Sequence, residues 1–215
     1  MGFAYSLRRR LLDHALAEEA RVIHGVVLEV GSGQGPRRGH FVPPVDRCAH
    51  WWYVDIAPRV RPHVIGDSEA LPLRDACVDT VVSLEVLEYV RRPHVALAEM
   101  YRVLRPAGHL VLSVPFVHRM DAPADLWRFS EHGLREVLAA AGFEVVVLRA
   151  QGYALTAAAH LVLSALVQRR RRIERWALGV FALPLVVAAR LERVLVSVDG
   201  VLASATTGYL AVGRK

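Results

Sequence analysis

Apolar positions along this chain follow two rhythms. Between residues 4 and 23, Leu7, Leu11, Leu12, Leu16 and Ala20 recur at three- and four-residue steps, which predicts a helix with one apolar face. Short apolar runs predict strands near 26–31, 50–55, 62–66, 79–84, 109–114 and 143–149. A helical pattern covers 93–104, with Pro93 suited to its first turn and Arg105-Pro106 marking its end. Another follows Ser130, whose hydroxyl can cap EHGLREVLAAAG, and stops at Gly142. Strands alternating with helices predict an α/β fold around a mainly parallel sheet.

The candidate chemistry starts where the first strand ends. VVLEVGSGQG, residues 26–35, is an apolar run with one acid, then glycines at 31, 33 and 35. Such a turn lets the backbone approach a ligand where a Cβ would clash. A dinucleotide site wants G-x-G-x-x-G opening a long helix that holds a pyrophosphate. Here the third glycine comes one residue early, and Pro36, Pro43 and Pro44 limit any helix to about two turns. A pyrophosphate ligand is therefore disfavoured. Asp55 ends the next apolar run, 24 residues after Gly31, where an acid can accept ribose hydroxyls.

VVLEVGSGQG, YVDI, GDSEALPLRDACVDTVVSLEVLEYV and ALAEMYRVLRPAGHLVLSVPF occur in one order and spacing. Together they resemble the type 11 group of class I S-adenosylmethionine-dependent methyltransferases, from about Val26 to Arg149. The resemblance implies a Rossmann-like, seven-stranded, mostly parallel sheet with helices on both faces and the cofactor S-adenosylmethionine over the strand ends. It implies that Glu29, Gly31, Ser32, Gly33 and Gly35 contact the methionine and ribose parts. Asp55 would take the ribose hydroxyls, and Ile56 would lie against the adenine. Asp67 would approach the adenine amino group, with Ser68 and Glu69 shaping that pocket. Ser83, Leu84 and Glu85 would sit near the methyl group.

Acceptor recognition is expected after the fifth strand, in PFVHRMDAPADLWRFSEHGL, which resembles loops of type 11 relatives acting on glycans and lipid-linked products. Trp127 can stack on a ring and Arg128 can hold an anionic group, with Asp125 and Phe129 beside them and Asp121 in the same loop. His118 is the candidate general base if the acceptor is a hydroxyl. The other histidines are scattered, and no metal site is expected.

The resemblance implies that 143–149 and 208–215 are the last two strands, and they are separated by almost 60 residues. This long connection contains two apolar helical stretches, 153–167 and 176–189, around QRRRRIER. Each is shorter than the ~20 residues that span a bilayer. The segment reads as a lid, a homodimer element, or an in-plane contact with an anionic membrane through Arg169 to Arg172, Trp176 and Phe181. The chain thus divides into an N-terminal helix (1–25), a cofactor-binding core (26–152), a helical insertion (153–205) and a closing strand (206–215).

Composition narrows the remaining classes. With 215 residues, 53% of them hydrophobic, the chain can fill one core and disorder is excluded. Cys48 and Cys77 lack ligand spacing and read as free thiols of a cytoplasmic protein, with the inner face of the membrane as a peripheral address. The first twenty residues do not have the pattern of a signal peptide. The net charge of +6 comes almost wholly from arginine. Its dense blocks, Arg8 to Arg10 and Arg169 to Arg172, lie outside the expected core and carry no interleaved aromatics, so no nucleic-acid partner is expected. The reading is therefore methyl transfer to a small-molecule, glycan or lipid-linked acceptor. A membrane-associated scaffold that binds S-adenosylmethionine without catalysis is the alternative, and a nucleotide-dependent oxidoreductase is less favoured.

Overall fold

The computed structural model describes residues 6–31, 39–120, 124–168, 183–192 and 200–215. Seven strands form one sheet: β1 (Gly25–Val30), β2 (Cys48–Asp55), β3 (Val64–Ile65), β4 (Val78–Leu84), β5 (Leu104–Pro115), β6 (Glu144–Ala150) and β7 (Gly208–Arg214). Their spatial order is β3-β2-β1-β4-β5-β7-β6. The β1–β2, β1–β4, β2–β3 and β4–β5 pairs are parallel, while β7 runs antiparallel to both β5 and β6. The closing strand thus enters between its two predecessors. This is the seven-stranded, helix-flanked architecture that the resemblance implied, with an insertion before the last strand.

Because successive side chains of a strand point to opposite faces, each strand feeds two cores. Leu28, Leu110, Leu112 and Ala211 face one side, where helices α2 (Pro93–Val103) and α3 (Glu131–Ala140) contribute Leu97, Met100, Leu134 and Leu138. Val27, Val82, Val111 and Leu210 face the other, where α1 (Leu7–Glu19) seats Leu12 and Leu16. Those two leucines are almost wholly buried, a burial that stabilises by roughly 1.5–3 kcal/mol each.

The helix ends follow the sequence signals. Ser6 caps α1 by accepting from the N–H of Arg9 at 3.2 Å, and Ser130 caps α3 by accepting from the N–H of Gly133 at 3.1 Å. Gly142 leaves α3 with φ +99°, and a Cβ there would press on the Tyr101 ring at 3.0 Å. At the end of α2 the orphan carbonyls are satisfied from a distance. Lys215 Nζ donates to the carbonyls of Tyr101 at 2.7 Å and Leu104 at 2.8 Å, its charge 4.6 Å above the Tyr101 ring.

Two expectations change in extent. The helix expected over 4–23 is α1 followed by one tight turn, Ala20–Val22. The strand expected at 109–114 runs from Leu104 to Pro115, because its first residues pair with β4 across a register shift.

The insertion begins with α4 (Ala154–Gln168). Residues 183–192 are also helical, and the Glu192 carboxylate accepts from the N–H groups of Tyr153 at 3.0 Å and Leu155 at 2.5 Å and from the Thr156 hydroxyl at 2.5 Å. An acid at a helix start satisfies orphan donors and complements the dipole, so the two insertion helices are locked end to side. Among the described residues no helix is long and apolar enough to cross a membrane. Arg169 to Arg172, Trp176 and Phe181 lie outside the described residues.

Candidate active site

Three strand ends stand side by side in the order β2-β1-β4. At the end of β1 the Gly31 N–H donates to the Val54 carbonyl at 2.8 Å. Gly31 has φ +84°, and a Cβ there would lie 2.5 Å from Val86. Only glycine fits a turn that is both left-handed and crowded. Glu29, one strand step inside, is buried and accepts from the Trp51 indole N–H at 2.7 Å. Ser32, Gly33 and Gly35 lie outside the described residues.

At the end of β2 the Asp55 carboxylate accepts from the Ala57 N–H at 2.8 Å through Oδ1. That bond holds the carboxylate at the rim of the sheet, and Ile56 beside it is 67% exposed. After β3, Asp67 Oδ1 accepts from the Glu69 N–H at 2.9 Å, folding the segment from Asp67 to Ala70 into a turn that also positions Ser68. Glu69 itself accepts from the Arg92 N–H at 2.9 Å and from its guanidinium at 2.6 Å. These bonds hold its carboxyl below the usual range. Its role in shaping a pocket is therefore indirect, as an anchor for Arg92.

Ser83 is fully buried in β4 and Leu84 is half-buried. Glu85 follows in the left-handed region at φ +60°, a conformation that costs a non-glycine residue about 1–2 kcal/mol. Its carboxylate accepts from the Ser113 hydroxyl at 2.8 Å and is paired with Arg8 of α1. Arg8 also donates from Nε to the Thr207 carbonyl at 3.1 Å. The first arginine block was read as lying outside the core. The structure corrects this for Arg8, which is buried between α1, β4 and the start of β7, where the Thr207 carbonyl and the Glu85 carboxylate receive it.

Glu88, which the sequence reading passed over, lies on the turn Leu87–Tyr89 that follows β4. Its side chain is almost fully buried, and its Oε2 has no hydrogen-bond partner among the described residues. Burial, with the charge of Glu85 adding to it, pushes this carboxyl up to about 8. The only signal for it was its place three residues after Glu85 in SLEVLEYV.

The loop expected to recognise the acceptor is pinned to this turn. The N–H groups of Leu126 and Trp127 donate to the Glu88 carbonyl at 2.8 and 3.3 Å. The Trp127 indole N–H donates to the Val90 carbonyl at 2.8 Å, leaving the ring 41% exposed. Arg128 forks onto Asp125, with Nη2 to Oδ2 at 2.6 Å. Phe129 does not line a binding surface. It is 7% exposed in the core between the sheet and the α2–α3 layer, because the chain must turn inward there to begin α3. Asp121 lies outside the described residues. His118 Nδ1 lies 3.0 Å from Nε2 of His160 on α4, with the rings stacked at 17°. Burial, with the charge of His118 next, pulls His160 down to about 4. Nothing in the spacing of the sequence pairs these two histidines. Among the described residues no group of metal-binding side chains occurs.

A left-handed glycine turn, a rim carboxylate one strand away and an exposed apolar side chain beside it fit a nucleoside-bearing cofactor. The match to other proteins agrees. Residues 28–112 match the model of the methyltransferase domain family called Methyltransf_11. The chain has the class I S-adenosylmethionine-dependent methyltransferase fold. A demethylmenaquinone methyltransferase of Renibacterium salmoninarum is 30% identical over 57% of this chain and 53% of its own length. The chain spans about a third or less of the length of the first four curated relatives it matches. Among solved structures, an Archaeoglobus fulgidus S-adenosylmethionine-dependent methyltransferase superposes with a TM-score of 0.57 at 15% identity, covering 96% of this chain and 94% of that one. The [4+2]-cyclase SpnF superposes with a TM-score of 0.59 at 20% identity, covering 95% and 80%. These likenesses establish the fold, and SpnF is named for a different reaction.

Proposed function

We propose that the protein transfers the methyl group of S-adenosylmethionine to a small-molecule acceptor. The row formed by Gly31, Asp55 and the Ser83–Glu85 end of β4, on three adjacent strands, is the observation that carries this reading. Asp55 would hold the ribose, Ile56 would cover the adenine face, and the Asp67 turn would border the adenine edge. Glu29 and the Gly31 turn would border the methionine part, placing the reacting end beside Ser83, Leu84 and Glu85. The cofactor supplies an already activated methyl electrophile. The protein's task is then alignment and exclusion of water. Arg8 and α1 close the site from one side, and the loop carrying Trp127 and Arg128 closes it from another.

The finer acceptor classes, a glycan or a lipid-linked product, are supported by one surface. Leu183, Val187 and Leu191 are exposed at four-residue steps on the second insertion helix, forming one apolar stripe. Such a stripe, in the same insertion as the four arginines 169–172, suits the interface of an anionic membrane, and with it a peripheral position on the inner face. The deciding experiment supplies labelled S-adenosylmethionine to the purified protein with a cell extract and identifies labelled products by mass spectrometry. Binding without any labelled product would favour a non-methylating role, of which SpnF shows the fold to be capable.

A further inference from the structure

Among the described residues around the end of β4, charges are matched in pairs with one acid left over. Arg8 compensates Glu85, and Arg128 compensates Asp125. Glu88 lies among all four: Glu85 and Asp125 push its carboxyl up, Arg8 pulls it down, and its own charge acts on Arg128. It is 2% exposed, with Oε2 unpartnered among the described residues. A buried carboxylate without a cation is costly, so the group stays protonated until a positive charge reaches it. The turn that carries it is in contact with the glycine turn, since a Cβ on Gly31 would strike Val86, two residues before Glu88. The leftover acid therefore sits on the segment that joins the cofactor turn to the acceptor loop.

We propose that Glu88 is the proton acceptor of the site, held as a neutral acid in the free protein, ionised by the arriving sulfonium, and reprotonated by the acceptor during transfer. This rests on the methyltransferase reading. The acceptor's lone pair forms the new bond to the methyl carbon as the carbon–sulfur bond breaks, and sulfur keeps that electron pair. The acceptor's proton passes to the Glu88 carboxylate. The acceptor is then one whose attacking atom carries a proton, a hydroxyl or an amine. The role assigned from sequence to His118 moves to Glu88, because His118 is stacked on His160 while Glu88 stands on the turn against Gly31.

The test needs no acceptor. S-adenosylmethionine carries the sulfonium charge; S-adenosylhomocysteine is the same ligand without it. Calorimetric titration of the full chain with each, at pH 7 in phosphate and in Tris, counts the protons released on binding. An opposite charge within about 6 Å lowers a carboxylate pKa by roughly 1–3, so from about 8 the charged ligand releases roughly four-tenths to nine-tenths of a proton more than the neutral one at pH 7. Glu88→Gln should abolish that difference while still binding both ligands. Equal proton counts for the two ligands in the wild type overturn the proposal without any variant. So does a difference that persists in Glu88→Gln. If the wild type binds neither ligand, the methyltransferase reading fails and takes this inference with it.

Discussion

Arg8 on the first helix and Glu85 at the end of β4 form a nearly buried ion pair, with side chains 10% and 18% exposed. The pair fastens α1 over the strand ends, and Arg8 is further held by the Thr207 carbonyl at the start of β7. Arg8→Gln leaves Glu85 without its cation, beside Glu88, and should destabilise the fold by about 3–5 kcal/mol. Replacing both residues by methionine should recover most of that loss, because an apolar pair of similar volume has no charge to desolvate. Urea unfolding of the two variants measures both numbers. Equal stability of the single and double variants would show that Arg8 acts by packing alone.

Asp55 separates cofactor binding from folding. Asp55→Asn keeps an oxygen for the Ala57 N–H, so the turn after β2 should persist. It removes the charge that strengthens hydrogen bonds to ribose hydroxyls, each worth about 1.5–3 kcal/mol when charge-assisted. Affinity for S-adenosylmethionine should fall at least roughly tenfold in calorimetry, with thermal unfolding nearly unchanged. Unaltered affinity would place the ribose elsewhere.

How far the sequence carried this picture is clearest at particular positions. The two-faced alternation of Val27 and Leu28, the Ser130 cap and the Gly142 stop are local signals, and each was legible. The ends of β1, β2 and β4 were legible too, because glycine and acid at a strand end constrain the backbone directly. Glu88, Arg8 and His160 were not, because what distinguishes them is which distant charge or ring they face. Phe129 misled for the same reason. An aromatic in a loop reads as available until the chain's inward turn is known. Trp52 and Ile65 show the converse, apolar side chains of β2 and β3 that stay open to solvent. β3, two residues long, is the sheet edge and β2 lies next to it, and the two side chains are 44% and 61% exposed.

The His118–His160 pair should be visible in the acid limb of stability. His160 is held neutral by burial, by His118 and by the charges of Arg8 and Arg119, with its pKa down at about 4. The unfolded chain binds that proton near 6.5, so folded stability falls as pH drops from about 6.5 to about 4. The full loss is on the order of 3 kcal/mol. His160→Asn should flatten that limb in a series of unfolding curves. An identical slope between pH 6.5 and 4 would mean that other groups carry it.

Lys215, the single lysine of the chain, is bonded to the carbonyls that end α2. Lys215→Met keeps the apolar stem and removes the donor and the charge over Tyr101. Hydrogen bonds to a charged group contribute about 1.5–3 kcal/mol each, but the freed carbonyls are close enough to the surface for water to replace part of them. A loss of about 2 kcal/mol in urea unfolding is expected, together with faster amide exchange in the last turn of α2. Unchanged exchange there would remove the capping role.

The insertion gives the last prediction. Glu192 binds the start of α4, and Thr156, Ala157, Ala159 and His160 are buried, so this half of the insertion is committed to the fold. Leu183, Val187 and Leu191 are not, and an apolar stripe on water favours a second surface. If that surface is an anionic membrane, each arginine close to it adds about 1 kcal/mol, an attraction that salt screens. Flotation should then recover the protein with anionic vesicles and not with neutral ones. Changing Arg169 to Arg172 to glutamine should weaken recovery in a salt-dependent way. Changing Leu183, Val187 and Leu191 to serine should weaken it at every salt concentration, since burial of apolar area does not depend on screening. Equal recovery with both vesicle types, unaffected by either set of changes, would leave the stripe to a second protein surface and the acceptor to solution.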